Sequence, residues 1–353
     1  MPLQLLNRRL QYERIAVINV CATFGAALTR LAVAAMGGGA WAIVIGYSVH
    51  GLFVLIGVQI ANPFLPRLRF RARAIGGLVR FGVRAATAET LQQFFRNVDY
   101  LLVGWFYGPA PLAIYRVAFD IAMEPAVAIG ELVNRTALPV FAKFSAAGER
   151  IAQSFVWAIG RIAALVAPLM AAFILSADGV TAMIHDANGI SYAAAAVPLK
   201  LLAGAAVLRT VYQLLYPLVL GTGRPGMAAR MSAVTLSLLT IGIVGAGLLF
   251  DARQGLTAIA LVWLAIYPLL LWWGARFVAR NYGLALRELI KALSVPLAAT
   301  AAMVAVVEVI GMLIRRHGPF LEVALALAGL LLTYAGMFFY GRWRAVESAV
   351  TPG

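Results

Sequence analysis

Ten runs of about twenty consecutive apolar residues decide what this chain can fold into. They cover residues 15–36, 40–61, 85–107, 112–133, 151–176, 195–220, 229–250, 255–278, 292–314 and 319–341. A helix rising 1.5 Å per residue needs about 20 residues to cross the hydrocarbon layer of a bilayer, and each run meets that length. Apolar–polar alternation with a period of two persists nowhere, so strands are not expected. The chain therefore reads as an all-α polytopic membrane protein of about ten transmembrane helices. Composition agrees, since 63% of the 353 residues are hydrophobic and 12% are charged, a balance foreign to soluble globular proteins.

A formal net charge of +15 would suggest nucleic acid in a soluble protein, but here its placement gives a different meaning. Residues 1–14, 62–84, 134–150, 221–230, 276–291 and 342–353 hold 20 Lys and Arg, whereas 37–39, 108–111, 177–194, 251–254 and 315–318 hold 3. Basic residues are retained on the cytoplasmic side, so both termini are expected there and nucleic acid is not expected as a partner. The apolar run at 15–36 is too long for a cleavable leader and reads as a retained helix. Residues 67–84 form the longest basic interval, with Phe70, Ile75, Leu78, Val79 and Phe81 interleaved. They read either as an ordinary cytoplasmic loop or as a segment lying on anionic membrane lipid.

Ionisable groups inside the apolar runs are the candidates for function, because charge at membrane depth is costly and normally faces a polar pathway. Residues 87–135 read as two helices joined by a turn at Gly108-Pro109-Ala110-Pro111. On the first, Glu89, Gln92, Arg96 and Asp99 fall at spacings of 3, 4 and 3, within a stripe about 80° wide at ~100° per residue. On the second, Arg116, Asp120, Glu124 and Glu131 form a similar stripe. Counting from the turn, Arg96 and Glu124 lie at nearly equal depth near the midplane, with Asp99 and Asp120 one turn further out. Two carboxylates at one level could hold a transferable proton; a fixed salt-bridge network is the competing reading. Arg30, Lys200 and Arg209 add cations in other runs, and with Arg96 and Arg116 they are candidates for binding phosphate.

Other chemistries find little support. A single cysteine, Cys21, and three scattered histidines, His50, His185 and His317, give neither a disulfide framework nor a metal site. No phosphate-binding glycine loop or nucleophile elbow is present, and Gly37-Gly38-Gly39 reads as a turn between helices. No cofactor is expected. The external interval 177–194, with Asp178, His185 and Asp186, is too short for a catalytic domain. Of the prolines in apolar runs, Pro125, Pro168, Pro198, Pro217, Pro268 and Pro296, only Pro125 beside Glu124 stands above the usual membrane background.

The run PRLRFRARAIGGLVRFGVRAATAETL, followed by RNVDYLLVGWFYGPAPLAIYRVAFDIAMEP, resembles the middle of bacterial oligosaccharide flippases. These form the polysaccharide-transporter branch of the multidrug/oligosaccharidyl-lipid/polysaccharide exporter superfamily. The matching positions are Arg80-Phe81-Gly82, Arg96, Asn97, Asp99, Gly104, Gly108, Pro109, Tyr115 and Pro125. LGTGRPGMAARMS at 220–232 is similar to the family's cytoplasmic A-x-G-R-P turn, and LLNRRLQYERIA at 5–16 to its R-R-L-x-F entry into a helix.

The resemblance implies two six-helix lobes, of which residues 1–61 are the last two helices of the first and 85–278 the complete second. Residues 62–84 become a basic cytoplasmic linker, and 279–353 a terminal helix pair with its tail. About four helices are then expected ahead of Met1. The implied function is movement of undecaprenyl-pyrophosphate-linked oligosaccharide across the bacterial cytoplasmic membrane, without covalent chemistry, in surface polysaccharide or lipopolysaccharide synthesis. Lipid-linked oligosaccharide and polysaccharide assembly machinery are the implied partners. The alternatives are a drug or cation antiporter of the same superfamily, a membrane glycosyltransferase or polymerase, and a non-transporting scaffold.

Overall fold

The computed structural model describes residues 6, 11–63, 97–147, 151–185, 189, 191–283, 286–313 and 318–350. Among them the structure consists of helices joined by short turns, with one isolated bridge between His185 and Ser191. The chain divides into two compact units, Met1–Ala85 and Ala86–Gly353.

In the first unit, α1 (Tyr12–Ala35) and α2 (Trp41–Ala61) form an antiparallel hairpin. The reversal falls at the expected glycine run, where Gly37 and Gly39 have φ of +80° and +48°, a conformation side chains disfavour. Small residues let the helices close: a Cβ at Gly25 would stand 2.9 Å from the Phe53 ring, and one at Gly57 2.9 Å from Ile18. Most of the remaining apolar side chains, Phe24, Leu28, Leu31 and Ile60 among them, point outward.

The second unit begins with α3 (Val98–Tyr107) and α4 (Pro109–Ala147). The turn between them is tighter than the four residues expected, because Gly108 alone, at φ +84°, reverses the chain. Pro109 already starts α4; the first amides of a helix have no intrahelical acceptor, so proline is tolerated there. After α5 (Ile151–Met183), the run expected as one helix over 195–220 divides into a 3₁₀ turn (Ala193–Ala195), α6 (Ala196–Gln213) and α7 (Leu215–Gly221). Pro217 explains the break at Leu214, since it offers no amide to the carbonyl of Gln213 and its ring crowds that oxygen. The chain ends with α8 (Pro225–Leu249), α9 (Ala252–Tyr282), α10 (Leu286–Leu313) and α11 (Pro319–Val350).

Helix α6 is the buried axis of this unit and packs on α4, α5 and α9. Helices α10 and α11 pack on α5 with a small core of their own, built from Ala171, Ala172, Met303, Val307, Ala326 and Leu330. Several helices outrun their apolar segments. The interval 134–150, expected as loop, is helical through Ala147, and 177–194 is helical through Met183. Backbone hydrogen bonds continue a helix beyond the bilayer where sequence hydropathy has already fallen.

Among the described residues, eight helices are long and apolar enough to span a membrane. Two of the ten expected runs are not among these. Residues 85–96 lie outside the described residues, and the run 112–133, within α4, is interrupted by Arg116, Asp120, Glu124 and Glu131. The basic stretch 67–84 also lies outside the described residues.

Candidate functional site

Polar groups in the second unit gather where α3, α4, α6 and α9 meet. Asp99 is 3% exposed and sits in the first turn of α3, which starts at Val98 because Asn97 leaves helical geometry (φ −114°, ψ 10°). The free amides of a first turn favour a carboxylate, and those of Asp99 and Tyr100 face this one. The Tyr115 hydroxyl, from α4, donates to Asp99 Oδ2 at 3.2 Å, and Trp263 Nε1, from α9, donates to the Tyr115 oxygen at 3.1 Å. An indole N–H can only donate, so the direction is fixed: Tyr115 accepts from Trp263 and spends its own hydrogen on Asp99.

A second bond runs the opposite way between the same helices. Tyr100 of α3 donates to Asp120 Oδ1 of α4 at 2.8 Å, and Arg116 Nε stands 3.5 Å from Asp120 Oδ2. Each helix thus offers a tyrosine to the other's aspartate. The Arg116 and Asp120 side chains are 70% and 45% exposed, whereas Asp99 is enclosed. Phe119, Trp263 and Tyr267 complete an aromatic wall, with edge and stacked contacts at centroid distances of 5.4 to 6.1 Å.

Arg209 reaches this wall from α6. Its guanidinium lies 5.5 Å from the centre of the Trp263 ring, and Nη1 is 3.6 Å from the Met123 sulfur. Among the described residues it makes no ion pair.

The other predicted residues are dispersed. Lys200 is paired with Asp178 at 2.5 Å. Glu124 is exposed on α4. Arg30 belongs to the first unit, where it lies 4.7 Å from the Tyr47 ring centre with its Nε buried and unbonded. Arg96 lies outside the described residues, and with it the expected opposition of Arg96 and Glu124. Asp99 and Asp120 do not share a hydrogen bond; each takes a tyrosine instead. The aromatic partners were missed as site residues, although Tyr115 and Phe119, and Trp263 and Tyr267, repeat at the four-residue spacing of one helix face.

Residues 1–188 match the model of a family described as polysaccharide biosynthesis protein. The chain belongs to this family. Among curated polysaccharide relatives, it is 26% identical over 181 residues to teichuronic acid biosynthesis protein TuaB of Bacillus subtilis (strain 168), covering 51% of this chain and 37% of that protein. It is 23% identical over 262 residues to succinoglycan biosynthesis transport protein ExoT of Rhizobium meliloti (strain 1021), covering 74% and 51%. Lipopolysaccharide biosynthesis protein WzxC of Escherichia coli (strain K12) is 21% identical over 153 residues, 43% of this chain and 31% of that protein. The chain thus spans about a third to a half of the length of these relatives. Its fold is that of lipid II flippase MurJ in an inward closed conformation, with a TM-score of 0.66 at 11% identity over 91% of this chain and 67% of that one. The polysaccharide biosynthesis family and the membrane-length helices together make this a multi-pass bacterial membrane protein.

Proposed function

We propose that the chain moves a lipid-linked oligosaccharide, carried on a polyprenyl pyrophosphate, across the cytoplasmic membrane for surface polysaccharide synthesis. The observation that carries this reading is Asp99, a carboxylate enclosed within the apolar run 85–107 in a chain of the polysaccharide biosynthesis family. An ionisable group in that setting marks a polar pathway by default, and a hydrophilic glycan needs one to pass an apolar layer. Around it, Tyr100, Tyr115 and Trp263 supply aromatic rings and Arg209 supplies N–H donors suited to phosphate, and no covalent step is required.

The test is complementation. A strain lacking its own polysaccharide flippase, given this chain, should regain surface polysaccharide and stop accumulating the lipid-linked precursor on the cytoplasmic leaflet. Protein present in the membrane with the precursor still trapped would overturn the reading. Proton-dependent efflux of cationic dyes in the same cells would place the chain with antiporters instead.

A further inference from the structure

We propose that Arg209 binds the diphosphate of the polyprenyl-linked sugar, in a site roofed by Trp263. This rests on the reading above that the cargo is lipid-linked. Five cations in apolar runs were candidates for meeting phosphate, and the structure separates them. Arg116 is committed to Asp120 and Lys200 to Asp178. Arg30 belongs to the first unit, where its stem lies against Gly46 of α2 and its guanidinium over the Tyr47 ring. Arg96 lies outside the described residues. Arg209 keeps its charge and its donors.

Its surroundings hold the guanidinium without satisfying it. The half-buried side chain lies over the Trp263 face, and one N–H is directed at the Met123 sulfur, a weak acceptor. A guanidinium has five N–H groups in a planar fork, a shape that matches two oxygens of a phosphate. The nearby carboxylate does not take that fork. Asp99 is bonded by Tyr115, and Trp263 links the two groups by offering its ring to Arg209 and its N–H to Tyr115. Cation and anion therefore share one scaffold with no direct bond between them, which leaves Arg209 available to a ligand.

The same contact provides a readout independent of transport. An anion that draws Arg209 off the Trp263 face should change the emission of that indole. Purified full chain in lipid nanodiscs is titrated with farnesyl diphosphate, with inorganic pyrophosphate and with added phosphatidylglycerol. A Trp263→Phe variant gives the background from the other tryptophans. Saturable change with farnesyl diphosphate is expected, at least tenfold weaker with pyrophosphate and absent with phosphatidylglycerol. Arg209→Gln should abolish it. Arg209→Lys, which keeps the charge but loses the fork, should weaken it about tenfold, the loss of one charge-assisted hydrogen bond. Unchanged affinity in Arg209→Gln overturns the proposal, as does pyrophosphate or phosphatidylglycerol matching farnesyl diphosphate. Should Arg209→Gln not fold, Arg209→Lys decides alone, and wild-type affinity there overturns it. Failed complementation by the wild-type chain would remove the transport reading while this binding result stood. Full export by Arg209→Gln in a complementing chain would remove only the Arg209 site.

Discussion

Asp99 is enclosed by donors rather than matched by a cation, and that makes its tyrosine partner consequential. Replacing Tyr115 with Phe leaves Asp99 Oδ2 without its hydroxyl donor and the Trp263 N–H without an acceptor, both where water does not reach. A buried polar group left unsatisfied costs roughly 1–3 kcal/mol. Tyr100→Phe removes a bond of similar geometry, but Asp120 is 45% exposed and can recruit water, so the expected loss is below about 1 kcal/mol. Denaturant unfolding of both variants in the same detergent checks the ranking. A Tyr100 variant that proves the less stable of the two would refute the account of the site as an enclosed Asp99 beside an accessible Asp120.

At the scale of elements, glycines set how closely the helices of the second unit approach. A Cβ at Gly247 of α8 would stand 2.4 Å from the Phe106 ring of α3, and a ring wedged at a helix end cannot yield without moving its helix. One at Gly130 of α4 would meet Gln213 Oε1 of α6 at 2.6 Å, the free end of a flexible side chain. Gly247→Ala should therefore destabilise by about 1–3 kcal/mol, the usual range for overpacking, and Gly130→Ala by distinctly less. Equal losses on thermal unfolding would show that Gln213 is as fixed as Phe106. Apolar length made most of these helices legible in sequence, because lipid imposes a minimum on any spanning segment. It could not show that α4 continues to Ala147 or that the 195–220 run breaks at Leu214, since both depend on local hydrogen bonding rather than hydropathy. Asp99 was legible because charge is rare in such helices. Tyr115 and Trp263 were not, because aromatic residues are ordinary there and only the fold brings α4 and α9 to the same carboxylate.

For the whole molecule, the direction in which the chain crosses the membrane follows from charge and from where its aromatic residues stand. The turns near Gly38 and Gly108 carry no Lys or Arg, and each has an exposed tryptophan close by, Trp41 at the start of α2 and Trp105 near the end of α3. Trp and Tyr concentrate at membrane–water boundaries, and basic residues stay on the cytoplasmic side. Near the opposite ends of α5 and α9, Trp157 and Trp272 lie beneath Arg161 and Arg276, with guanidinium-to-ring distances of 5.0 and 4.0 Å. This arrangement lets an arginine run its stem along apolar surface toward the headgroups. We therefore expect Met36 and Pro109 to face outward and Ala279 to face the cytoplasm. The exposed native thiol, Cys21, is first changed to Ser so that single cysteines report alone. In intact cells, Met36→Cys and Pro109→Cys should react with a membrane-impermeant maleimide, and Ala279→Cys should react only after permeabilisation. Labelling of Ala279→Cys in intact cells, with Met36→Cys and Pro109→Cys protected, would invert the topology. The basic residues would then lie outside, against the rule that retains them on the cytoplasmic side.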